Sequence, residues 1–503
     1  MHQNFFRATN YKGVVALTIV SAFTKVVSVL FKIIIIYIIG TVGIGYYQLA
    51  FPLFVFAYTL SSVGNATALT MVVAGNHNSR NKSAINYATI FTLVGSIVVG
   101  IAICLLSTQI SSLQGNKSLY IIYMGVATTV VAVSVLSTLR GAIRGYRLVK
   151  EYAIADIIEQ ITRLIFSVLI AWLLLPYGLI YAVFGVFLGI TLSACASIIY
   201  SLITLKINDK RKLETTEIFN KKEFWIFAVL TCITSLILPF TQFIDSTIVV
   251  RMLEHIGYSH LYATKLFGLS RGTVSSLLNL PNSIILAIEV LLLPDLVRLS
   301  NKEFCSKSKN IIFVTVFVSS LFSLLFLFFS KEILTVVYGV KLEEAELQIS
   351  VNLLKVGAIG IFFSALSQIQ ATILQGKKML YFPIVSLCIA SVVKIVFEVL
   401  VIPQMGIVGA EISNVLFYLT LALFNSIFLY IKKLDFGSFK NLYSVFTALA
   451  IVLVLKGFYL LFSKKFHYIL SMVFSFLILC FFIAIILFVC KQYKQKREKT
   501  IIK

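Results

Sequence analysis

Apolar stretches of spanning length follow one another along this chain from Gly13 almost to its end, separated by short linkers. A helix crossing ~30 Å of hydrocarbon needs roughly 20 apolar residues. The runs meet that length near 14–39, 45–74, 86–107, 118–139, 153–175, 179–205 and 224–250. A second set falls near 262–297, 311–329, 347–375, 379–402, 406–431, 443–462 and 467–490. With 59% hydrophobic and 13% charged side chains, too little polar surface remains to coat soluble domains. The expected fold is an all-α integral membrane protein of about fourteen transmembrane helices.

The linkers supply an orientation. Those after even-numbered spans carry bases, among them Arg80 and Lys82, Arg140, Arg144, Arg147 and Lys150, then Lys221 and Lys222, Arg298 and Lys302. Linkers after odd-numbered spans are nearly bare, as at Thr41–Ile44 and Tyr177–Gly178, or mix bases with acids, as in Lys331–Glu346. By the positive-inside rule the basic side is cytoplasmic, together with Arg7, Lys12 and the tail Lys491–Lys503. Two cytoplasmic ends require an even number of spans. The run from Gly13 to Ile39 is too long for a signal-peptide core and reads as an uncleaved first span. The net charge of +23 therefore serves topology, and no nucleic-acid partner is expected. Seven cysteines scattered singly indicate neither a disulfide framework nor a zinc site.

There is an internal repeat. Gly145–Leu169 aligns without a gap on Gly376–Leu400, so that Arg147 meets Lys378 and Arg163 meets Lys394. Pro/Gly turns follow in both, at Leu175–Leu179 and Ile402–Ile407. Matched bases followed by matched turns point to two related six-helix bundles plus a final helix pair. The expected division is 1–210, 211–440 and 441–503.

Charges inside spans are costly and normally face a cavity or a partner. The first span carries Thr18, Ser21, Lys25, Ser28 and Lys32 at steps that place them on one face. Snorkelling could serve either lysine alone, but it leaves the serines between them unexplained. The seventh span carries Thr231, Ser235, Gln242 and Asp245 around Pro239, and Arg251 follows near its outer edge. The eighth carries Arg271, Ser275, Asn282 and Glu289 around Pro281. Asp245 pairing with Arg271 or Arg251 is compatible with a substrate role. In the second span, Pro52, Ser61, Ser62, Gly64 and Asn65 indicate a loosened helix beside protein or an aqueous cavity. Ser364, Ser367, Gln368 and Gln375 in the tenth either line the same space or glue helices together, with gluing the preferred reading. Arg163 is at helical spacing to pair with Asp156 and Glu159, and Lys394 with Glu398.

No phosphate-binding GxxxxGK[ST], HExxH or GxSxG motif occurs, so the expectation is a transporter and not an enzyme. No cofactor is indicated, and a coupling ion, Na+ or H+, stays open. The segment Lys25–Phe54 resembles the opening of the stage V sporulation protein B and MurJ-type family of lipid-linked oligosaccharide flippases. Phe243–Leu253, Asn279–Leu296 and Leu374–Ser413 are similar to the same family, in order and at similar spacing. The resemblance places the chain in the polysaccharide branch of the multidrug/oligosaccharidyl-lipid/polysaccharide exporter superfamily. It implies two lobes forming a V around a central cavity, with Lys25 and Lys32 as the basic positions of the first helix and Asp245 as the acid of the seventh. Two positions depart from the family's usual pattern: Lys32, where Arg is common, and Gly64-Asn65-Ala66, where Gly-Ile-Pro is common.

The leading expectation is a flippase in the bacterial cytoplasmic membrane for an undecaprenyl-pyrophosphate-linked glycan such as lipid II, used in peptidoglycan or polysaccharide synthesis, during sporulation or vegetative growth. Candidate substrate-binding residues are Lys25, Lys32, Asn65, Asp245, Arg251, Arg271, Asn282, Glu289 and Lys394. A multidrug or cation antiporter of the same superfamily is the alternative, using Asp245 and Glu289. A membrane scaffold for envelope-synthesis enzymes comes third, because the linkers are short. Whether the protein acts as a monomer or with such enzymes is open.

Overall fold

A computed structural model describes residues 11–463, apart from 76–80, 210–219, 284, 286–300, 340, 378 and 433–438. Lipid offers no hydrogen bonds, so each apolar run must satisfy its backbone internally and becomes helix. The helices are α1 (Tyr11–Tyr58), α2 (Gly64–Gly75), α3 (Lys82–Leu113), α4 (Tyr120–Gly145), α5 (Val149–Leu174), α6 (Leu179–Asp209) and α7 (Lys221–His255). There follow α8 (His260–Phe267), α9 (Asn301–Phe328), α10 (Ser330–Tyr338), α11 (Glu344–Gly376), α12 (Tyr381–Met405), α13 (Ile407–Ile431) and α14 (Phe439–Ser463).

Eleven helical stretches among the described residues are long and apolar enough to cross a membrane. One of them, Leu30–Gly75, has 46 residues, about 69 Å of helix, which is twice what one crossing needs. Gly40 breaks it, at φ 67° and ψ −174°, so the first and second expected spans meet there. The eighth span passes from α8 through a π turn, Gly268–Val274, and stays helical through residue 283. Its far end, the span at 467–490, the tail, Arg7, Arg80, Arg298 and Lys378 lie outside the described residues, as does the 210/211 boundary.

The repeat has a structural counterpart. Gly145 ends α4 and Gly376 ends α11, and a short turn then starts α5 and α12. Both of these helices close at glycines in conformations that side chains resist, Gly178 at φ 125° and Gly406 at φ 59°, before α6 and α13 turn back. Helices α3 to α6 pack on one another, and α9 packs on α11 and α14 while α13 packs on α11 and α12. The two groups meet where α1 touches α7 and α8, and where α2 touches α7. The largest core cluster lies across that meeting and includes Ile36, Ile44, Tyr123, Phe187, Val250, Phe267 and Leu354.

At the end away from the basic linkers, this seam is backbone against backbone. A side chain at Gly45 would strike the Thr264 carbonyl, and one at Gly268 would meet the Thr41 carbonyl at 2.5 Å. Two ionic straps fasten the same end. Arg251 donates to the Ser112 and Leu113 carbonyls and to Glu254 at 2.9 Å, and Glu254 lies 2.6 Å from His260 Nδ1. Lys265 pairs with Glu346 at 2.6 Å, which accepts from Thr41 at 2.9 Å.

Candidate functional site

Several of the polar positions singled out from the spans converge on one cavity of about 240 Å³. Lys32 enters from α1, and Gln48 and Pro52 come from α1 beyond Gly40. Gln242 and Asp245 come from α7, Arg271, Ser275 and Asn282 from the eighth span, Ser364 from α11, Lys394 from α12, and Glu411 and Asn414 from α13. Lys32, Asp245, Arg271 and Lys394 stand 8 to 12 residues from the helix ends at Gly40, His255, His260 and Gly406, roughly 12–18 Å along their helices. That depth is close to the middle of a ~30 Å hydrocarbon layer.

Burial at this depth is tolerated because the charges hold one another. Asp245, 4% exposed, accepts from Arg271 at 2.8 Å and lies 3.0 Å from the Lys394 ammonium. Glu398, fully buried on the next turn of α12, stands 3.6 Å from Lys394 and 4.0 Å from Arg271. Glu411 accepts from Ser270 at 3.1 Å and from Asn414 at 3.3 Å. The π turn around Arg271 frees its own carbonyl, which takes the Gln48 side chain at 3.0 Å. Ser364 donates to Asn282 at 2.8 Å. The wall therefore carries both signs, with Arg271 and Lys394 clasped on Asp245. The expected Asp245–Arg271 pair is present, and Lys394 reaches Asp245 as well as Glu398.

Not every candidate reaches this cavity. Asn65 is buried elsewhere, donating to Thr92 at 3.1 Å and to the Ser61 carbonyl at 3.3 Å. The loosened second span is real, a π turn at Thr59–Val63, but it lies beside α3 and α7. Arg251 caps the end of α3 in the strap described above, with its guanidinium drawn toward orphan helix carbonyls. Lys25 lies within α1, with its side chain outside the described residues, and Glu289 is outside them altogether. Ser28 bonds Gln160 of α5 at 3.3 Å, so the polar face of the first span is split between helix packing and the cavity. Arg163 pairs with Glu159, whereas Asp156 bonds Arg140 at 3.3 Å.

Gln48, Glu411 and Asn414 were not singled out from the sequence. Glu411 had a signal, being a lone acid inside the apolar run 406–431. Gln48 and Asn414 are uncharged and had none.

The profile of the polysaccharide biosynthesis protein family matches residues 11–300. Stage V sporulation protein B of Bacillus subtilis (strain 168) is 24% identical over 305 residues, 57% of this chain and 58% of that protein. The chain thus aligns with little more than half the length of that relative. The lipid II flippase MurJ of the same organism is 24% identical over 469 residues, 86% of this chain and 84% of that one. A solved structure of the lipid II flippase MurJ in an inward closed conformation superposes with a TM-score of 0.71 at 15% identity, covering 94% of this chain and 98% of that one. That likeness gives the fold, an all-α bundle of membrane-spanning helices. Matched by the family profile over more than half of its length, the chain belongs to the polysaccharide biosynthesis protein family and is a multi-pass membrane protein.

Proposed function

We propose that the protein translocates an anionic undecaprenyl-pyrophosphate-linked glycan across the bacterial cytoplasmic membrane, with both termini cytoplasmic. The observation that carries this reading is the grouping of Lys32, Arg271 and Lys394 on one mid-membrane cavity between two helix groups. In this reading 1–210 and 211–440 are the moving lobes, and 441–503 is an added helix pair. The pyrophosphate takes the place of Asp245 on Arg271 and Lys394, while Gln48, Asn282 and Asn414 receive sugar hydroxyls. Because Asp245 and Glu398 already stand against the two bases, the empty site keeps its buried charges beside partners. An arriving anion competes with Asp245 for these bases, and the Asp245 carboxylate it displaces has to be protonated or paired elsewhere. Alternating access then consists of opening the Gly45–Thr264 seam while the basic end closes. Peptidoglycan or another polysaccharide synthesis is the use this cargo implies.

Binding of a fluorescent undecaprenyl-pyrophosphoryl disaccharide to detergent-purified protein tests the assignment. Arg271→Gln removes a charge-assisted contact, so affinity should fall about 10- to 100-fold. Equal affinity in the variant would remove Arg271 from the site. Asp245 and Glu411 also face the cavity, which favours a cation antiporter as the second reading. Saturable binding of a cationic dye that depends on Asp245, with none of the glycolipid, would establish that reading instead.

A further inference from the structure

A second groove, of about 210 Å³, lies outside the transport cavity, between the π turn Thr59–Val63, α3 and α7. Its walls include Leu60, Phe91, Gly95, Trp225 and Val229, with Asn65 among its lining residues. Leu60, Phe91 and Val229 are also exposed on apolar spans, so the mouth opens on the hydrocarbon-facing surface. A Cβ built at Gly95 meets nothing within 4 Å, which marks unfilled space beside that wall.

The upper end of the groove is an aromatic bridge between α3 and α7. Phe91 and Trp225 meet edge to face with centroids 4.3 Å apart, and Trp225 Nε1 donates to the Tyr87 hydroxyl at 3.1 Å. The Lys221 ammonium lies 5.2 Å from the Tyr87 ring centroid. Lys221 and Lys82 are the first residues of their helices and both are exposed, with Lys222 and Glu223 alongside. From Lys221 to Val229 is about 12 Å along the axis, and from Lys82 to Gly95 about 20 Å. Half a bilayer, headgroups included, is ~20 Å. Aromatics at the interface with lysines just beyond them match a phospholipid lying along the groove.

The geometry points to a binding site for one anionic phospholipid of the leaflet on the basic-linker side, its phosphate against Lys221 and one acyl chain in the groove. The site joins helices of the first group to α7 of the second. It is separate from the transport cavity in lining residues and in position, so it does not depend on what the protein carries.

Trp225 provides the reporter, because the chain has two tryptophans, Trp172 and Trp225. The Trp172→Phe protein in detergent micelles is titrated with phosphatidylglycerol brominated on its acyl chains, and Trp225 emission is followed. Expected is a saturable quench, with brominated phosphatidylcholine needing a several-fold higher concentration. Gly95→Leu should fill the groove and abolish the saturable part. Lys221→Gln, which leaves the walls intact, should raise the half-saturating concentration roughly fivefold. Linear quenching that is the same for both headgroups, or unchanged quenching in Gly95→Leu and Lys221→Gln, overturns the site. Displacement of the brominated lipid by an equimolar polyprenyl pyrophosphate assigns the groove to a cargo tail and overturns the phospholipid.

Discussion

The double variant Lys25→Glu, Lys32→Glu should abolish translocation of a labelled lipid-linked glycan while leaving the amount of protein in the membrane unchanged. Lys32 is the base that α1 contributes to the cavity wall, where Asp245 and Glu411 already stand. A unit charge ~8 Å from a bound anion contributes roughly 2 kcal/mol at an effective dielectric of ~20. Reversing its sign counts twice, about 4 kcal/mol, or several hundred-fold in affinity from one position. Lys25 is two turns away on the same face by helical spacing and adds to the effect. Lys32→Arg keeps the charge and should retain most activity. Full transport in the double glutamate variant, measured in membranes of matched protein content, would remove the first helix from cargo binding.

The second large effect is on stability and lies away from the cavity. Glu159 is 4% exposed and stands between two guanidinium groups, 2.6 Å from Arg140 and in contact with Arg163. Arg140 also donates to the Ala155 carbonyl at 2.8 Å and to Ser197 at 3.2 Å, so the cluster ties α4, α5 and α6 together. Removing one member of a buried ion network leaves an uncompensated charge, at a cost of about 3–5 kcal/mol. Glu159→Ala should therefore lower the thermal unfolding temperature in detergent far more than a substitution of a lipid-facing residue such as Leu169. Replacing Arg140, Asp156, Glu159 and Arg163 together with Met, Asn, Leu and Met should recover most of the loss, because no charge of the cluster remains buried. If Glu159→Ala unfolds at the parent temperature, the cluster is not what holds those helices.

These two sites also show what the sequence could and could not reveal. Arg163 and Lys394 align in the repeat, and both were expected to pair along their own helices. Arg163 does, one turn back to Glu159, and its environment stays within the first helix group. Lys394 also reaches across to Asp245 on α7, a partner that helical spacing cannot indicate because the two are far apart in the chain. The same limit hid the role of Arg251, whose carbonyl partners lie 138 and 139 positions earlier. Of the polar faces read by spacing on the seventh and eighth spans, Gln242, Asp245, Arg271, Ser275 and Asn282 reach the cavity, whereas Thr231 and Ser235 are not among its lining residues. It misled at Asn65, where a polar residue in a loosened span turned out to bond Thr92 beside the lipid-facing groove.

The spans were legible because hydrocarbon permits so few backbone solutions, and the turn at Gly40 because a short base-free linker separates two long runs. The π turn holding Arg271 was not, since it depends on the close approach of Gly268 to Thr41 and Gly45. That turn sets the height of Arg271 against Asp245, so part of the site's geometry comes from the seam between the two helix groups.

The central claim is that this cavity carries a lipid-linked anionic glycan across the membrane. Purified protein is reconstituted into liposomes with a fluorescent undecaprenyl-pyrophosphoryl glycan, and the fraction of label accessible to an external quencher is followed after the outer leaflet has been bleached. Label should reappear outside in vesicles that contain the protein, without ATP, and Arg271→Gln should slow it. No protein-dependent reappearance, with or without an imposed membrane potential or a sodium or proton gradient, would contradict the account.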